Sequence, residues 1–299
     1  MINPPVPIED ISDKFEGVIN IMIYGTGGTG KSEFGASTGK DGIVLSIGNG
    51  ELTFSSPGFR KRNPVPPKIA YIREEIDPKT GIFKSPPEAF DKVGDFMEWF
   101  IQSDFKVLTV DDATALNQFA KNKSLDMSPN FRKDNVSTSL NKSKKYGFPI
   151  MEVDDYQREM NLISWLLADH MPRMNDAGKS FILIAHERLF HKPPDKIGGE
   201  KLLYRVTPGF TGQTFPDAVV NMFDFVWYAT VLNGTVFRVQ TMPSLVIAAK
   251  TRWSGVFHEK ESMITFPQLM KAMYDGKLIR PEKKETTTNK EKENVTVDK

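Results

Sequence analysis

A glycine-rich loop near the start of the chain constrains the fold more than any other feature. Residues 18–24 form a short apolar run that is typical of a buried strand, and residues 25–32 follow with the letters GTGGTGKS. These letters complete the pattern Gly-x-x-x-x-Gly-Lys-Ser, in which glycines let successive backbone amides turn towards a phosphate. The alternative is a flexible glycine turn, but the strand before the loop and the expected helix after it favour phosphate binding.

Each position of this loop has an expected role in holding a nucleoside triphosphate. We expect Lys31 to reach the β- and γ-phosphates, and the Ser32 hydroxyl to occupy one position on Mg²⁺. The helix that should begin near Lys31 adds the positive end of its dipole. The sequence therefore predicts ATP and Mg²⁺ as cofactors. The expected nucleotide-binding residues are Gly25, Thr26, Gly27, Gly28, Thr29, Gly30, Lys31, Ser32 and Glu33.

Composition excludes several other classes of protein. The chain of 299 residues has a formal net charge of +1, so any contact with DNA must come from local basic patches. It contains no cysteine, which excludes disulfide frameworks and thiolate metal sites and fits a reducing cytoplasm. Its apolar stretches are too short to cross a bilayer, and residues 1–16 lack the apolar core of a signal peptide. We therefore expect a cytoplasmic protein without membrane contact.

Apolar runs alternate with helical patterns along the chain. Buried strands are expected at residues 18–24, 42–47, 69–72, 107–111, 180–185 and 245–249, and helices at residues 31–37, 85–101, 156–171 and 267–274. Residues 224–231 and 235–242 alternate around Asn233-Gly234, which predicts an antiparallel hairpin. This order predicts an α/β fold with a mostly parallel central sheet flanked by helices and a C-terminal antiparallel hairpin.

Composition also divides the chain into regions. Residues 1–17 are expected to form an N-terminal extension, residues 18–278 the nucleotide-binding domain, and the Lys/Glu/Thr-rich residues 279–299 a disordered tail. Within the domain, residues 122–146 are rich in Lys, Ser and Asn and poor in large apolar side chains. They predict a basic insertion that leaves the core. Residues 188–213 predict a second long basic loop.

The expected strand at residues 107–111 ends in two carboxylates, Asp111 and Asp112. In a phosphate-loop protein, an acid in this place holds Mg²⁺ through its water shell. Asp111 is therefore the expected metal ligand beside Ser32. The alternative is an ordinary strand whose acids cap the following helix.

The order of these motifs resembles that of the RecA-like P-loop ATPases, which have an AAA-type nucleotide-binding domain. It is most similar to the phage ATP-binding proteins of that class, which include single-strand annealing proteins. The matching stretches are GTGGTGKS, VLTVDD, VDDYQ, FILIAHE, TPGFTGQ and AAKTRW, within about residues 18–257. The resemblance implies an oligomer of identical subunits that hydrolyses ATP and acts on single-stranded DNA in recombination, annealing or replication. It also implies the host cytoplasm as its location if the chain is phage-encoded.

The resemblance implies catalytic roles for polar residues after the later strands. His186 would contact the γ-phosphate or the attacking water, although a surface histidine at a strand end is the alternative. The resemblance implies that Lys250 and Arg252 reach the ATP of a neighbouring subunit. Their spacing fits this role, since residues two apart on a strand point to the same face. The alternative for this pair is a solvated strand end.

The catalytic base is where the chain departs from the pattern that it resembles. RecA-like enzymes carry a glutamate just past the second strand, where this chain has Gly48, with Glu51 three residues later. A tight glycine turn would let Glu51 reach the water. Asp112 and Glu187 are the other candidates, and slow or absent hydrolysis stays open.

Two readings of function follow from these patterns. In the first, the basic segments 122–146 and 188–213 contact single-stranded DNA, with base stacking on Phe131, Tyr146, Phe148, Phe190 and Tyr204; the alternative is that both segments are solvated lids. In the second, the protein is a nucleotide-dependent clamp or loader for a phage replication or recombination partner, with little hydrolysis of its own. The near-neutral charge and the displaced glutamate favour the second reading.

Overall fold

A ten-stranded sheet with helices against it forms the body of the protein. The computed structural model describes residues 17–47, 54, 57–72, 86–128, 151, 153–192, 201–253 and 255–278. The strands are β1 (Asn20–Gly25), β2 (Gly42–Ile47), β3 (Lys68–Ile72), β4 (Val107–Asp111), β5 (Ser180–Lys192), β6 (Leu202–Pro208), β7 (Phe225–Leu232), β8 (Val236–Gln240), β9 (Lys250–Thr251) and β10 (Lys260–Ser262). The helices are α1 (Lys31–Ala36), α2 (Pro57–Arg62), α3 (Pro86–Gln102), α4 (Ala113–Met127), α5 (Val153–Asp176), α6 (Phe215–Met222) and α7 (Phe266–Tyr274), with a 3-10 turn at Gly39–Asp41.

The centre of the sheet is parallel. Strands β3, β2, β4, β5, β1 and β7 lie side by side in that order and run in one direction. The remaining strands are antiparallel to their neighbours: β8 and β9 to β7, β10 to β8, and β6 to β5. The expected α/β fold with a mostly parallel sheet flanked by helices is confirmed, and the hairpin expected at Asn233-Gly234 forms between β7 and β8.

Both faces of the central strands are buried, because helices cover each side. In β1, Met22 and Tyr24 belong to the core formed with α3, α4, α5 and α6, whereas Ile21 and Ile23 belong to the core formed with α1 and α7. A strand that is covered on both faces favours apolar residues at nearly every position. This preference explains why β1, β2, β4 and the first half of β5 were recognisable as continuous apolar runs.

The parallel register brings the ends of three strands together at one edge of the sheet. Gly25 at the end of β1 lies opposite His186 in β5, and Asp111 at the end of β4 lies opposite Ile184 in β5. Only strand β5 therefore lies between β1, which leads into the glycine loop, and β4, which ends in the acidic pair. In open α/β sheets, this carboxyl edge is where ligands bind.

The prediction of a basic loop at residues 188–213 is wrong over much of that segment. Strand β5 continues to Lys192 and pairs with β6, forming an antiparallel ribbon beyond the edge of the central sheet. Leucine, phenylalanine, tyrosine and valine in this segment favour extended structure despite the surrounding charges. Residues 193–200 lie outside the described part of the chain.

The strand expected at residues 245–249 is also wrong. Leu245 is fully exposed, and the only pairing within the segment is an isolated bridge between Ile247 and Val206. The Ser244 side chain accepts hydrogen bonds from the amides of Val246 and Ile247. Such a local bond competes with a strand ladder, so regular pairing begins only at Lys250.

Helix α4 was not foreseen, and it includes residues 122–127, the first part of the expected basic insertion. Its polar residues are buried against α5: the Ser124 hydroxyl donates to the Asp155 carbonyl at 2.6 Å, and Arg158 donates to the Ser124 carbonyl at 3.1 Å. Residues 129–150, the N-terminal 1–16 and the tail from 279 lie outside the described residues. None of the helices within the described ranges combines the length and apolar character that crossing a bilayer requires.

Candidate functional site

The glycine loop between β1 and α1 has a backbone that needs glycine. A Cβ at Gly25 would lie 2.3 Å from the Ala229 carbonyl oxygen, and its φ of 152° is one that side chains disfavour. Gly28 and Gly30 have φ angles of 76° and 83°, in the left-handed region. The spacing of these glycines is therefore a consequence of how the loop turns.

Lys31 lies buried at the centre of the loop. Its Nζ donates to the carbonyl oxygens of Gly25 at 2.9 Å and Thr26 at 2.5 Å, and lies 3.4 Å from the Thr29 hydroxyl. Burial lowers the pKa of this ammonium, while the carboxylates at the ends of β4 and β5 act in the opposite direction. The loop thus holds one cation enclosed by its own oxygen atoms.

Asp111 and Ser32 are adjacent, as expected for two ligands of one metal ion. The Asp111 carboxylate is buried, the Ser32 hydroxyl is close enough to favour its charged form, and its Oδ2 has no hydrogen-bond partner within the described part of the chain. Burial raises the pKa of Asp111, and the Ser32 hydroxyl partly opposes this. A buried oxygen without a partner, next to a hydroxyl, fits the oxygen-only coordination of Mg²⁺.

Asp112 and His186 form a second pair at this edge. Asp112 caps α4 by accepting from the Ala115 amide at 2.7 Å, as the structural alternative anticipated, and its peptide bond with Asp111 is cis. Its Oδ2 also lies 3.3 Å from Nε2 of His186, whose side chain is half exposed. Because one carboxylate makes both contacts, Asp112 couples the start of α4 to the histidine at the edge of β5.

A cavity of about 360 Å³ lies over the loop and brings most of the predicted residues together. The glycine loop and the start of α1 form its floor, while the end of β4 and the middle of β5 form one side. Gly25 and Thr26 lie beneath this floor and contribute the carbonyls that hold Lys31. The predicted residues that line the cavity are Gly27, Gly28, Thr29, Gly30, Lys31, Ser32, Glu33, Asp111, Asp112 and His186.

Glu187, another candidate for the catalytic base, lies away from this cavity. Its carboxylate accepts a hydrogen bond at 2.7 Å from the hydroxyl of Tyr228. Burial and this carboxylate both raise the pKa of Tyr228, so the phenol keeps its proton and the contact persists. Glu51 lies outside the described residues, and its role stays a prediction.

Lys250 and Arg252 lie near the amino ends of the parallel strands, whereas the glycine loop of the same chain lies at their carboxyl ends. Strand β9 pairs with Phe225 and Val226 at the start of β7. Lys250 donates to the carbonyl of Asn221 at 3.1 Å, and Arg252 pairs with Asp224 at 2.9 Å. Partial burial lowers the pKa of Lys250. The structure does not bring these cations to their own cavity, and contact with a neighbouring subunit stays a prediction.

Phe237 is a lining residue that the sequence did not reveal. Its ring lies over Gly30, where an added Cβ would be 3.3 Å from the ring, and 38% of the residue is exposed. The ring reaches the loop because β7 pairs with β1 and carries β8 with it. Nothing local in the sequence indicates that pairing, which joins segments about 200 residues apart, as in the bond between Asn20 and Asp224 with a separation of 204.

The aromatic residues proposed to stack on bases differ in their availability. Phe190 is buried, and the guanidinium groups of Arg188 and Arg205 lie 5.1 and 5.9 Å from its ring centroid, so we no longer assign it to base stacking. Tyr204 on β6 is exposed, and Lys192 lies 5.9 Å from its ring. Phe131, Tyr146 and Phe148 lie outside the described residues.

A separate cluster on α3 and α5 also has the geometry of a cation site. Glu98, Asp169 and His170 place possible ligand atoms within 4.8 Å of one another. Arg173 forms ion pairs with both Glu98 and Asp169 and already supplies a positive charge to these carboxylates. The cluster is therefore better explained as an ion-pair network that joins the two helices.

The cavity over the glycine loop is thus the place where a cation, three carboxylates, two hydroxyls and an imidazole converge. Comparison with known proteins gives no family to which these residues can be assigned. No protein-family model matches the chain, and no curated protein matches it.

Proposed function

We propose that this chain is a P-loop ATPase that binds ATP with Mg²⁺ in the cavity over residues 25–32. The observation that carries the proposal is the convergence of Lys31, Ser32 and Asp111. A buried ammonium sits within the glycine loop, beside a hydroxyl and a buried carboxylate, and one oxygen of that carboxylate lacks a hydrogen-bond partner in the described chain. A triphosphate with its metal ion would give the Lys31 ammonium an anionic partner and the unpaired Asp111 oxygen a cationic one.

Each residue has a specific task in this proposal. On binding ATP, Lys31 would exchange its contacts with the loop carbonyls for hydrogen bonds to phosphate oxygens. The negative phosphates would stabilise the ammonium charge that burial disfavours. Ser32 and Asp111 would hold Mg²⁺, which neutralises developing charge on the phosphates. His186 faces the same cavity, where it can donate a hydrogen bond to the terminal phosphate or orient water.

The catalytic base is proposed to be Glu51 or Asp112. Asp112 lines the cavity, but one of its oxygen atoms accepts from the Ala115 amide at 2.7 Å and the other lies 3.3 Å from Nε2 of His186, so both oxygen atoms already have protein contacts. This observation favours the second candidate function, a nucleotide-dependent clamp or loader that hydrolyses ATP slowly. Turnover by Asp112→Asn and Glu51→Gln variants distinguishes the two bases.

The test of nucleotide binding compares two lysines of one segment. Lys31→Ala should weaken ATP–Mg²⁺ binding at least about tenfold in calorimetry, because it removes charge-assisted bonds to phosphate. Lys40→Ala removes the same charge from an exposed position in the 3-10 turn and should change affinity by less than about twofold. Equal affinity of wild type and Lys31→Ala, with both folded, contradicts the proposal.

We further propose that the ATPase acts on single-stranded DNA as an oligomer, in phage recombination, annealing or replication. The ribbon of β5 and β6 presents Lys192 and the exposed Tyr204 beyond the carboxyl edge, a combination that suits phosphate contact and stacking. Single-stranded DNA should then raise ATP turnover, and Tyr204→Ala should reduce that stimulation without changing basal turnover. Size measurements with and without ATP–Mg²⁺ test the assembly.

A further inference from the structure

A second cavity of about 590 Å³ continues from the cavity over the glycine loop. Gly30, Glu33 and Phe237 line both cavities. Asp111, Asp112 and His186 line only the first. The two cavities therefore form one groove, with the acids and the histidine at one end and Phe237 at the junction.

The walls of the second cavity are mostly apolar. Phe34 of α1, Val236 and Phe237 of the β8 strand, and Met263 and Ile264 after β10 contribute carbon surface. Phe237 and Val236 are 38% and 42% exposed, so their side chains are accessible to a ligand. An apolar cleft of this size with a few polar groups at its rim is typical of a site for a small organic molecule.

Polar groups stand at the rim. The Arg62 guanidinium forms an ion pair with the Glu33 carboxylate, and Asn63 lines the same cleft. The Asn63 side-chain amide donates to the Phe59 carbonyl at 3.3 Å. The rim thus offers charged and amide groups around an aromatic wall.

We propose that this cleft holds the nucleoside of the bound nucleotide, with the base stacked on Phe237. The inference rests on the proposed function, because the direction of the nucleotide follows from the phosphate site. If the terminal phosphate lies towards Asp111 and His186, the chain of phosphates leaves the loop past Gly30 and Glu33, which open into the cleft. The exposed ring of Phe237 is then the first flat apolar surface that the base meets.

The test distinguishes the contribution of the nucleoside to binding from that of the phosphates. Calorimetry with ATP and with inorganic tripolyphosphate, both with Mg²⁺, is done on wild type and on Phe237→Ala. Wild type should bind ATP more tightly than tripolyphosphate. Phe237→Ala should weaken ATP binding about tenfold, since stacking on an aromatic ring contributes that much, and change tripolyphosphate binding less than about twofold.

Two further variants control the result. Leu232→Ala removes an apolar side chain of similar exposure from the same hairpin, where it lines neither cavity, and should leave both affinities unchanged. Phe237→Tyr keeps the ring and should retain ATP binding.

The outcomes show whether the nucleoside site alone fails or whether the proposed phosphate site fails as well. Equal wild-type affinities for ATP and tripolyphosphate overturn the nucleoside site while leaving the phosphate site in place, and this comparison needs no variant. An unchanged ATP affinity in Phe237→Ala, or an equal loss for both ligands, also overturns it. Binding of neither ligand by wild type overturns the proposed function itself, and the nucleoside site with it.

Discussion

Asp111→Asn should stabilise the nucleotide-free protein while weakening its response to Mg²⁺. The carboxylate is 5% exposed, and one of its oxygens has no hydrogen-bond partner among the described residues. The asparagine keeps an oxygen to accept from Ser32 but removes the buried charge. We expect this removal of a buried charge to add about 0.5–2 kcal/mol to the free energy of unfolding, the usual range for a single stabilising substitution.

The sign of the pH dependence follows from the raised pKa of Asp111. Burial raises this pKa above its ordinary value of 3.8, so the folded state binds the proton more tightly than the unfolded chain. Ionisation therefore destabilises the folded state, and this cost is absent below pH 3.8 and complete once the pH exceeds the raised pKa. The advantage of the variant should be largest near pH 7 and should shrink as the pH falls towards 4.

Binding of ATP–Mg²⁺ should favour the stability of wild type over that of Asp111→Asn. At a free ATP–Mg²⁺ concentration of about 100 times Kd, binding adds about 2.7 kcal/mol to the stability of wild type. If the variant binds this ligand about tenfold more weakly, the same concentration adds only about 1.4 kcal/mol. ATP with a chelator should add equally to both proteins, because the acid acts through the metal.

Urea unfolding measures all of these differences. Asp104→Asn is the matched control, since it makes the same chemical change at an exposed position just before β4. It should leave both the free stability and the ligand increment unchanged. If Asp111→Asn is less stable than wild type without nucleotide at pH 7, then Lys31 and Ser32 compensate the buried charge, and the reasoning is refuted.

Two other predictions concern hydrolysis. Glu51→Gln should bind ATP normally but hydrolyse it at least about a hundredfold more slowly if Glu51 activates the water; unchanged turnover assigns the role to Asp112. Arg252→Ala should bind ATP yet turn it over poorly, because a cation supplied in trans acts in the transition state. Mixing Arg252→Ala with Lys31→Ala subunits should then restore part of the activity, and mixed assemblies without rescue contradict the trans mechanism.

The sequence predicted those parts of the site that local patterns encode. The glycine loop is a continuous segment whose φ angles demand glycine at Gly28 and Gly30. The strand before Asp111 is buried at every position and mostly apolar, because helices cover both its faces. In each case the physical requirement acts on neighbouring residues, so it is visible in the letters themselves.

The parts that were missed depend on contacts between distant segments. Phe237 reaches Gly30 only because β7 pairs with β1, and no local pattern records which strands become neighbours. The charges of residues 188–192 suggested a loop, yet pairing with β6 makes them a strand. Conversely, residues 245–249 have strand propensity, but the bonds to Ser244 divert them. Tertiary context overrides propensity in both directions.

The position of β1 in the sheet determines when the loop can form during synthesis. The amide of Ile19 donates to the Ser180 side chain across 161 residues, and the amide of Asn20 donates to Asp224 across 204 residues. Both neighbours of β1 are therefore made long after the loop itself. A chain growing on the ribosome carries the complete glycine motif early but cannot hold it in shape until β7 has emerged. Nucleotide capture by nascent chains of increasing length would therefore mark the completion of the sheet.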